Sequence, residues 1–157
     1  MRLLYFSFLA LALWTANPLR SQSPSSFRLT DDEKLILELT NAARKEQKLP
    51  PLTANATLTN CARLHSDNQA KQKKMAHELD GKTPVDRVKA SGYLYRNMGE
   101  NVAYGDGPVA VKDIFEGWMK SEGHRKNILK QEFTEIGIGV SETGRQKYYT
   151  QVFGRPR

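Results

Sequence analysis

The sequence predicts an α+β domain in which helices cover both faces of a small antiparallel sheet. Three observations carry this. Apolar residues recur at helical spacing over most of the chain as far as Leu129. Beyond Glu132 the period drops to two, with Ile136, Ile138 and Val140 set against Gly137 and Gly139. Those alternating glycines let another element approach the sheet very closely. The length, 157 residues, suits one domain with a real core.

The first residues read as a leader. Arg2 is followed by the apolar run 3–14, and Ser21-Gln22-Ser23 offers small residues for cleavage before Pro24. The run falls short of the roughly 18–20 residues that span a bilayer. Residues 1–23 are therefore expected to be a signal peptide, 24–30 a linker and 31–157 the folded domain. The expected location is secreted or periplasmic. Without Arg2 and Arg20 there remain 22 Lys plus Arg against 17 Asp plus Glu, a net charge of +5. That charge favours peripheral contact with acidic surfaces. The one dense basic run, Lys71-Gln72-Lys73-Lys74, lacks interleaved aromatics and suits the last turn of a helix, so nucleic acid is not an expected partner. Cys61 is the only cysteine, which leaves no disulfide framework and suggests a small buried residue. The chain is expected to be a monomer.

The elements follow in order. Thr30-Asp31-Asp32-Glu33 forms a capping box, and Leu35, Ile36, Leu39, Ala42 and Ala43 continue at helical spacing until Lys48-Leu49-Pro50-Pro51 ends the helix. A second helix starts near Ala56 or Thr57 and runs to about Lys73, with Leu58, Cys61, Ala62 and His65 inward. His65, lacking an obvious acidic partner, is read as a core histidine. The sequon Asn55-Ala56-Thr57 is read as incidental. Thr83-Pro84 caps a short helix through Ala90, ended by Gly92. Gly99 to Gly105 is extended, and Gly105-Asp106-Gly107 is a turn. Pro108 is expected to open a fourth helix with Val111, Ile114, Phe115, Trp118 and Met119 on its apolar face. Ser121 fits the N-cap of a further turn carrying Glu122 and His124. A hairpin closes the chain, turning at Glu142-Thr143-Gly144-Arg145 and returning along Tyr148 to Phe153.

Three residues could carry chemistry. His77, Glu100 and His124 lack the compact spacing of a zinc helix, yet two imidazoles and a carboxylate would match an open His₂Glu zinc site. The carboxylate could equally accept a proton from one imidazole and fix its tautomer. Ser121 and His124 lie three apart, but no Gly-x-Ser-x-Gly elbow accompanies them and capping already explains the serine. No phosphate-binding glycine loop, Cys/His cluster or acidic calcium loop is present.

These motifs, taken together, resemble the CAP superfamily (the SCP-like domain of cysteine-rich secretory, antigen 5 and pathogenesis-related proteins), and its short bacterial members in particular. The matching pieces run in order through Leu39-Thr40-Asn41-x-x-Arg44, Leu49-Pro50-Pro51-Leu52, Met75-Ala76-His77 and Thr83-Pro84-x-Asp86-Arg87. They continue with Gly92-Tyr93, Gly99-Glu100-Asn101-Val102-Ala103 and Trp118-Met119-x-Ser121-x-Gly123-His124-Arg125-x-Asn127-Ile128-Leu129. Phe133-Thr134-Glu135-Ile136-Gly137-Ile138-Gly139 and Tyr149-x-Gln151-x-Phe153-Gly154 close the series, from about Leu37 to Phe153. The resemblance implies a three-layer α-β-α sandwich with a central cleft of two histidines and two acids, able to hold zinc or another divalent ion. His77 and His124 correspond to the histidines and Glu100 to one acid. Ser121 stands where the second acid is expected, with Glu122 adjacent and, on a continuing helix, turned about 100° away. Ser121, Glu122 and Asn101 are expected to surround the cleft.

Two functions follow as expectations. The first is an exported binding module whose ligand is a lipid, a cell-wall glycan or a protein. The alternative is a zinc-dependent, peptidase-like hydrolase with His77 and His124 on the metal and Glu100 as general base. The absence of the second acid favours binding over catalysis. A third reading leaves the cleft residues a purely structural role.

Overall fold

The computed structural model describes residues 27–157, so the expected signal peptide and the first three residues of the linker lie outside the described residues. Helix α1 spans Asp31–Glu46, α2 Ala56–Gln72, α3 Pro84–Ala90, α4 Val111–Lys120 and α5 Glu122–Ile128. Strands β1 (Thr53–Ala54), β2 (Tyr95–Asp106), β3 (Glu135–Thr143) and β4 (Gln146–Pro156) form one sheet in the order β1-β3-β4-β2.

The sheet alternation sorts the helices into two layers. Gly137 pairs with Val152 and Val152 with Glu100, while Gly139 pairs with Thr150 and Thr150 with Val102. These residues share one face, which α2 covers. Ile136 with Phe153 and Ile138 with Gln151 occupy the other face, beneath α1, α4 and α5. A core lies on each side. Leu58, Cys61, Ala62, Val88, Tyr93 and Val152 make one; Ile36, Phe115, Trp118, Ile128, Phe133, Ile136 and Phe153 belong to the other. This is the expected three-layer sandwich.

The glycine alternation sets how near α2 can come. A Cβ on Gly137 would stand 2.0 Å from the carbonyl carbon of Leu58, and one on Gly139 2.3 Å from that of Ala62. Ser66 and Gln69 then bond across the contact: the Ser66 hydroxyl donates to the Gly139 carbonyl at 3.0 Å, and Gln69 Nε2 to Thr150 Oγ1 at 3.1 Å.

The capping signals give the expected starts. Thr30 and Glu33 cap α1 reciprocally, as do Thr83 and Asp86 on α3, with Pro84 in the first turn. Gly92 follows α3 at φ +80°.

Three expectations are corrected. The sheet is mixed, because β1 pairs in parallel with β3; two residues are too few to show a period. Helix α1 ends before the prolines, at Glu46. Lys48 turns left-handed (φ +58°) and the Leu49 N–H returns to the Arg44 carbonyl. Helix α4 begins at Val111, not Pro108, because Gly107 (φ +77°) and a Val109 N–H to Gly107 carbonyl bond make a tight turn there. Asn55, the first residue of the sequon, caps a helix: its Oδ1 accepts the Leu58 N–H at the start of α2, and its Nδ2 donates to Glu135.

Candidate functional site

The site is organised by two adjacent residues of the edge strand β2. Successive strand side chains point to opposite faces, so Glu100 enters the α2/α3 layer and Asn101 the α1/α5 layer. Each gathers its own set of partners.

Glu100 is 8% exposed and lies among three cationic or imidazole groups. Arg87 of α3 donates to Oε2 at 2.7 Å. His77, from the segment after α2, places Nδ1 3.0 Å from Oε1. His65 of α2 places Nε2 3.9 Å from the same oxygen. His65, read from sequence as a core residue without an acidic partner, is indeed buried (1% exposed) but stands beside one. A carboxylate accepts and cannot donate, so the His77 proton lies on Nδ1 and its Nε2 carries the free lone pair. His77 itself is about half exposed, at 52%.

Asn101 is fully buried and holds α5 to the sheet. Its Nδ2 donates to the His124 carbonyl at 3.1 Å and to Gln151 Oε1 at 3.0 Å. Asn127 returns from α5, donating to the Glu100 carbonyl at 3.1 Å and to Asn101 Oδ1 at 2.9 Å. Gln151 passes the chain on to Thr40 of α1 at 3.0 Å. The amides therefore fix the backbone that carries His124 relative to β2. On the outer edge of β2, Trp118 Nε1 donates to the Val102 carbonyl at 3.1 Å.

Burial holds the His124 imidazole below its ordinary pKa, and the charge of nearby His77 acts in the same direction. His77 follows α2, in one layer, and His124 lies on α5, in the other. Ser121 occupies the N-cap position of α5, half-buried, without a capping bond from its hydroxyl. The helix axis breaks there, so Glu122 begins a new helix and is exposed, rather than extending α4.

Zinc, the metal the resemblance implies, would meet a sparse donor set here. Among the described residues, no three His, Cys, Asp or Glu side chains are grouped to hold a metal ion. Glu100 is not free to be a third ligand, since Arg87 and His77 engage its two oxygens. Two imidazoles remain, one of them bonded to a carboxylate, which is the usual arrangement behind a metal-binding histidine. Any divalent ion would have to be held by His77 and His124, with its other ligands supplied from elsewhere. Sequence reasoning missed Arg87 as a site residue, although it stands in the quoted Thr83-Pro84-x-Asp86-Arg87 motif, and it missed His65 and the amides Asn127 and Gln151.

His65 gives the domain a predicted acid limit. Burial pushes its pKa below the ordinary histidine value, outweighing the opposing pull of Glu100; Arg87 and His77 add to the lowering. A histidine depressed in the folded state binds its proton better when unfolded, so its contribution is complete above about pH 6.5 and lost as pH falls below that. Denaturant midpoints at pH 7.5 and 5.5 should differ, with stability falling by up to about 1.4 kcal/mol per pH unit for this one group. A flat profile between those values would show that His65 titrates in the folded domain as it does in the unfolded chain. Cys61, by contrast, is a free, buried thiol pushed up to about 11 by burial, in keeping with the packing role expected of it.

An α-β-α sandwich is the architecture the sequence resemblance implied. The chain belongs to the cysteine-rich secretory protein (CAP) family, whose model matches residues 37–153. It is 39% identical over 134 residues to "Uncharacterized protein YkwD" of Bacillus subtilis, covering 85% of this chain and 50% of that one. Among solved structures, it is similar to an extracellular SCP-domain protein of Bacillus anthracis, at 31% identity and TM-score 0.72, over 83% of this chain and 45% of the other. An outer surface protein of Borrelia burgdorferi shares the fold at 20% identity and TM-score 0.76, over 83% and 97% of the two chains. The chain thus spans about half the length of YkwD and of the B. anthracis protein.

Proposed function

We propose that this chain is an exported CAP-domain binding module whose His77 and His124 together hold a divalent metal, with Glu100 orienting His77 from behind. The observation that carries this reading is the His77 Nδ1–Glu100 contact at 3.0 Å, which leaves Nε2 as the free ligand atom. Bound zinc would supply a Lewis-acidic centre with open positions for a ligand's oxygen or nitrogen. Export is supported by the leader pattern of residues 1–23 and by the extracellular B. anthracis relative. The ligand those open positions would receive is a lipid, a wall glycan or a protein.

The hydrolase alternative needs Glu100 as a general base with a free oxygen aimed at water. Its engagement with Arg87 and His77, and Ser121 in place of a second acid, support binding instead. Calorimetric zinc titration of residues 24–157 should give one site per chain near neutral pH, lost in the His77→Ala/His124→Ala double variant. Glu100→Gln should still bind, more weakly by about 10–100-fold, because an amide cannot hold the Nδ1 proton as a carboxylate does. Unchanged binding in the double variant would place the metal elsewhere and end this reading.

A further inference from the structure

His77 presents a problem of placement. Its side chain is half exposed and stands on an irregular segment, where an exposed histidine loses most of its positional order. A metal ligand needs the opposite. The surroundings of the preceding residue supply it. Helix α2 ends at Lys73 in the left-handed conformation (φ +50°), with the Lys74 N–H returned to the Gln69 carbonyl, so the chain folds back along the helix it has left. As it passes, α2 takes hold of both polar groups of Ala76. His65 Nε2 lies 2.9 Å from the Ala76 carbonyl oxygen, and Gln69 Oε1 accepts the Ala76 N–H at 3.3 Å.

We infer that His65 and Gln69 are the positioning residues of His77, clamping the peptide groups next to it so that its ring meets Glu100 with Nε2 free. Both are suited to the task by burial, at 1% and 0% exposure. Gln69 is itself anchored, since its Nε2 donates to Thr150 Oγ1, whose own hydroxyl donates to Ser66 Oγ at 2.9 Å. The clamp therefore runs from strand β4 through Gln69 to the backbone of Ala76. A carbonyl only accepts, so the clamp fixes the His65 proton on Nε2. That leaves Nδ1 of His65 buried and without a hydrogen-bond partner. An unpaired buried acceptor costs stability, and its presence marks the Nε2 contact to Ala76 as the one this histidine keeps. His65 thus acts on the cleft without touching a ligand.

This inference rests on the two-histidine reading for its purpose, but not for its test. In the isotopically labelled chain, nuclear magnetic resonance should show His65 as the Nε2–H tautomer, His77 as the Nδ1–H tautomer, and the Ala76 amide protected from exchange. His65→Phe removes the donor at similar size, whereas His65→Gln keeps an N–H donor at comparable reach. In the folded Phe variant the Ala76 amide should exchange at least about 10-fold faster and zinc affinity should fall about 10–100-fold, the usual loss when a residue supporting a metal ligand is removed. His65→Gln should restore most of both. A purely structural histidine would lower the melting temperature in both variants and leave the Ala76 amide and the His77 tautomer unchanged, which would overturn the inference. If His65→Phe does not fold, the unsubstituted protein decides: fast exchange at Ala76 refutes the clamp, and protection with the stated tautomers supports it. A wild type that binds no zinc while Ala76 stays protected removes the metal reading and leaves the positioning of His77 standing.

Discussion

Gly137→Ala is expected to cost this domain most of its stability, more than about 4 kcal/mol. The added Cβ would lie 2.0 Å from the Leu58 carbonyl carbon, 2.3 Å from its oxygen and 2.3 Å from the Thr59 nitrogen. Ordinary overpacking costs about 1–3 kcal/mol because side chains can shift rotamer. Here the obstacle is helix backbone, and Gly139 meets the same helix one turn on, at Ala62. Relief requires lifting α2 from the sheet, which would uncover Leu58, Ala62 and Val152 and stretch the Ser66 and Gln69 bonds to Gly139 and Thr150. Against a total of about 5–15 kcal/mol for a typical domain, that loss is large. Gly117→Ala is the control: it lies inside α4 with nothing within 4 Å of the new methyl, and should stabilise by up to about 1 kcal/mol. Thermal unfolding followed by circular dichroism compares them directly. A Gly137→Ala melting temperature within a few degrees of wild type would mean that α2 does not sit where described.

What could be read from sequence was what repeats or caps. Thr30 with Glu33, Thr83 with Pro84, the apolar face of α4 and the Ile/Gly alternation of β3 are local patterns, and each named its element. The histidines and Glu100 were reached through motif resemblance, not spacing. What stayed hidden were bonds between distant residues. Asn101 to Gln151, Gln151 to Thr40 and Arg87 to Glu100 join positions that no period connects. The same holds for β1, two residues long and paired with a strand some eighty positions away. The capping role of Asn55 was hidden for a different reason. A glycosylation pattern and a helix N-cap use the same residue, and only the start of α2 decides between them.

Arg44→Met should be the second large loss, about 3–5 kcal/mol. Arg44 is 0% exposed, and its recorded partners are all carbonyl oxygens. Nε donates to Pro50 at 2.9 Å, Nη1 to Ile128 at 2.8 Å and Lys130 at 2.9 Å, and Nη2 to Phe133 at 3.2 Å. Two of these oxygens stand at and just beyond the C-terminus of α5, where the helix dipole presents its negative end to the guanidinium. Burial still lowers the Arg44 pKa, so the charge is held at a cost that these donors must offset. Methionine fills comparable space and supplies no donor, leaving the carbonyls to find partners in a closed interior. Arg44→Lys keeps the charge but presents a point in place of a fork, and should fall between the two. Because Arg44 ties α1 and the loop at Pro50 to the end of the helix that carries His124, Met should also loosen α5 before the rest of the domain. Amide exchange at Ile128 and Leu129 should then rise more than at Tyr149 in the sheet core, and the denaturant midpoint should drop. A Met variant as stable as wild type would show that the four carbonyls are satisfied without the arginine, and that α5 is held chiefly by Asn101 and Asn127.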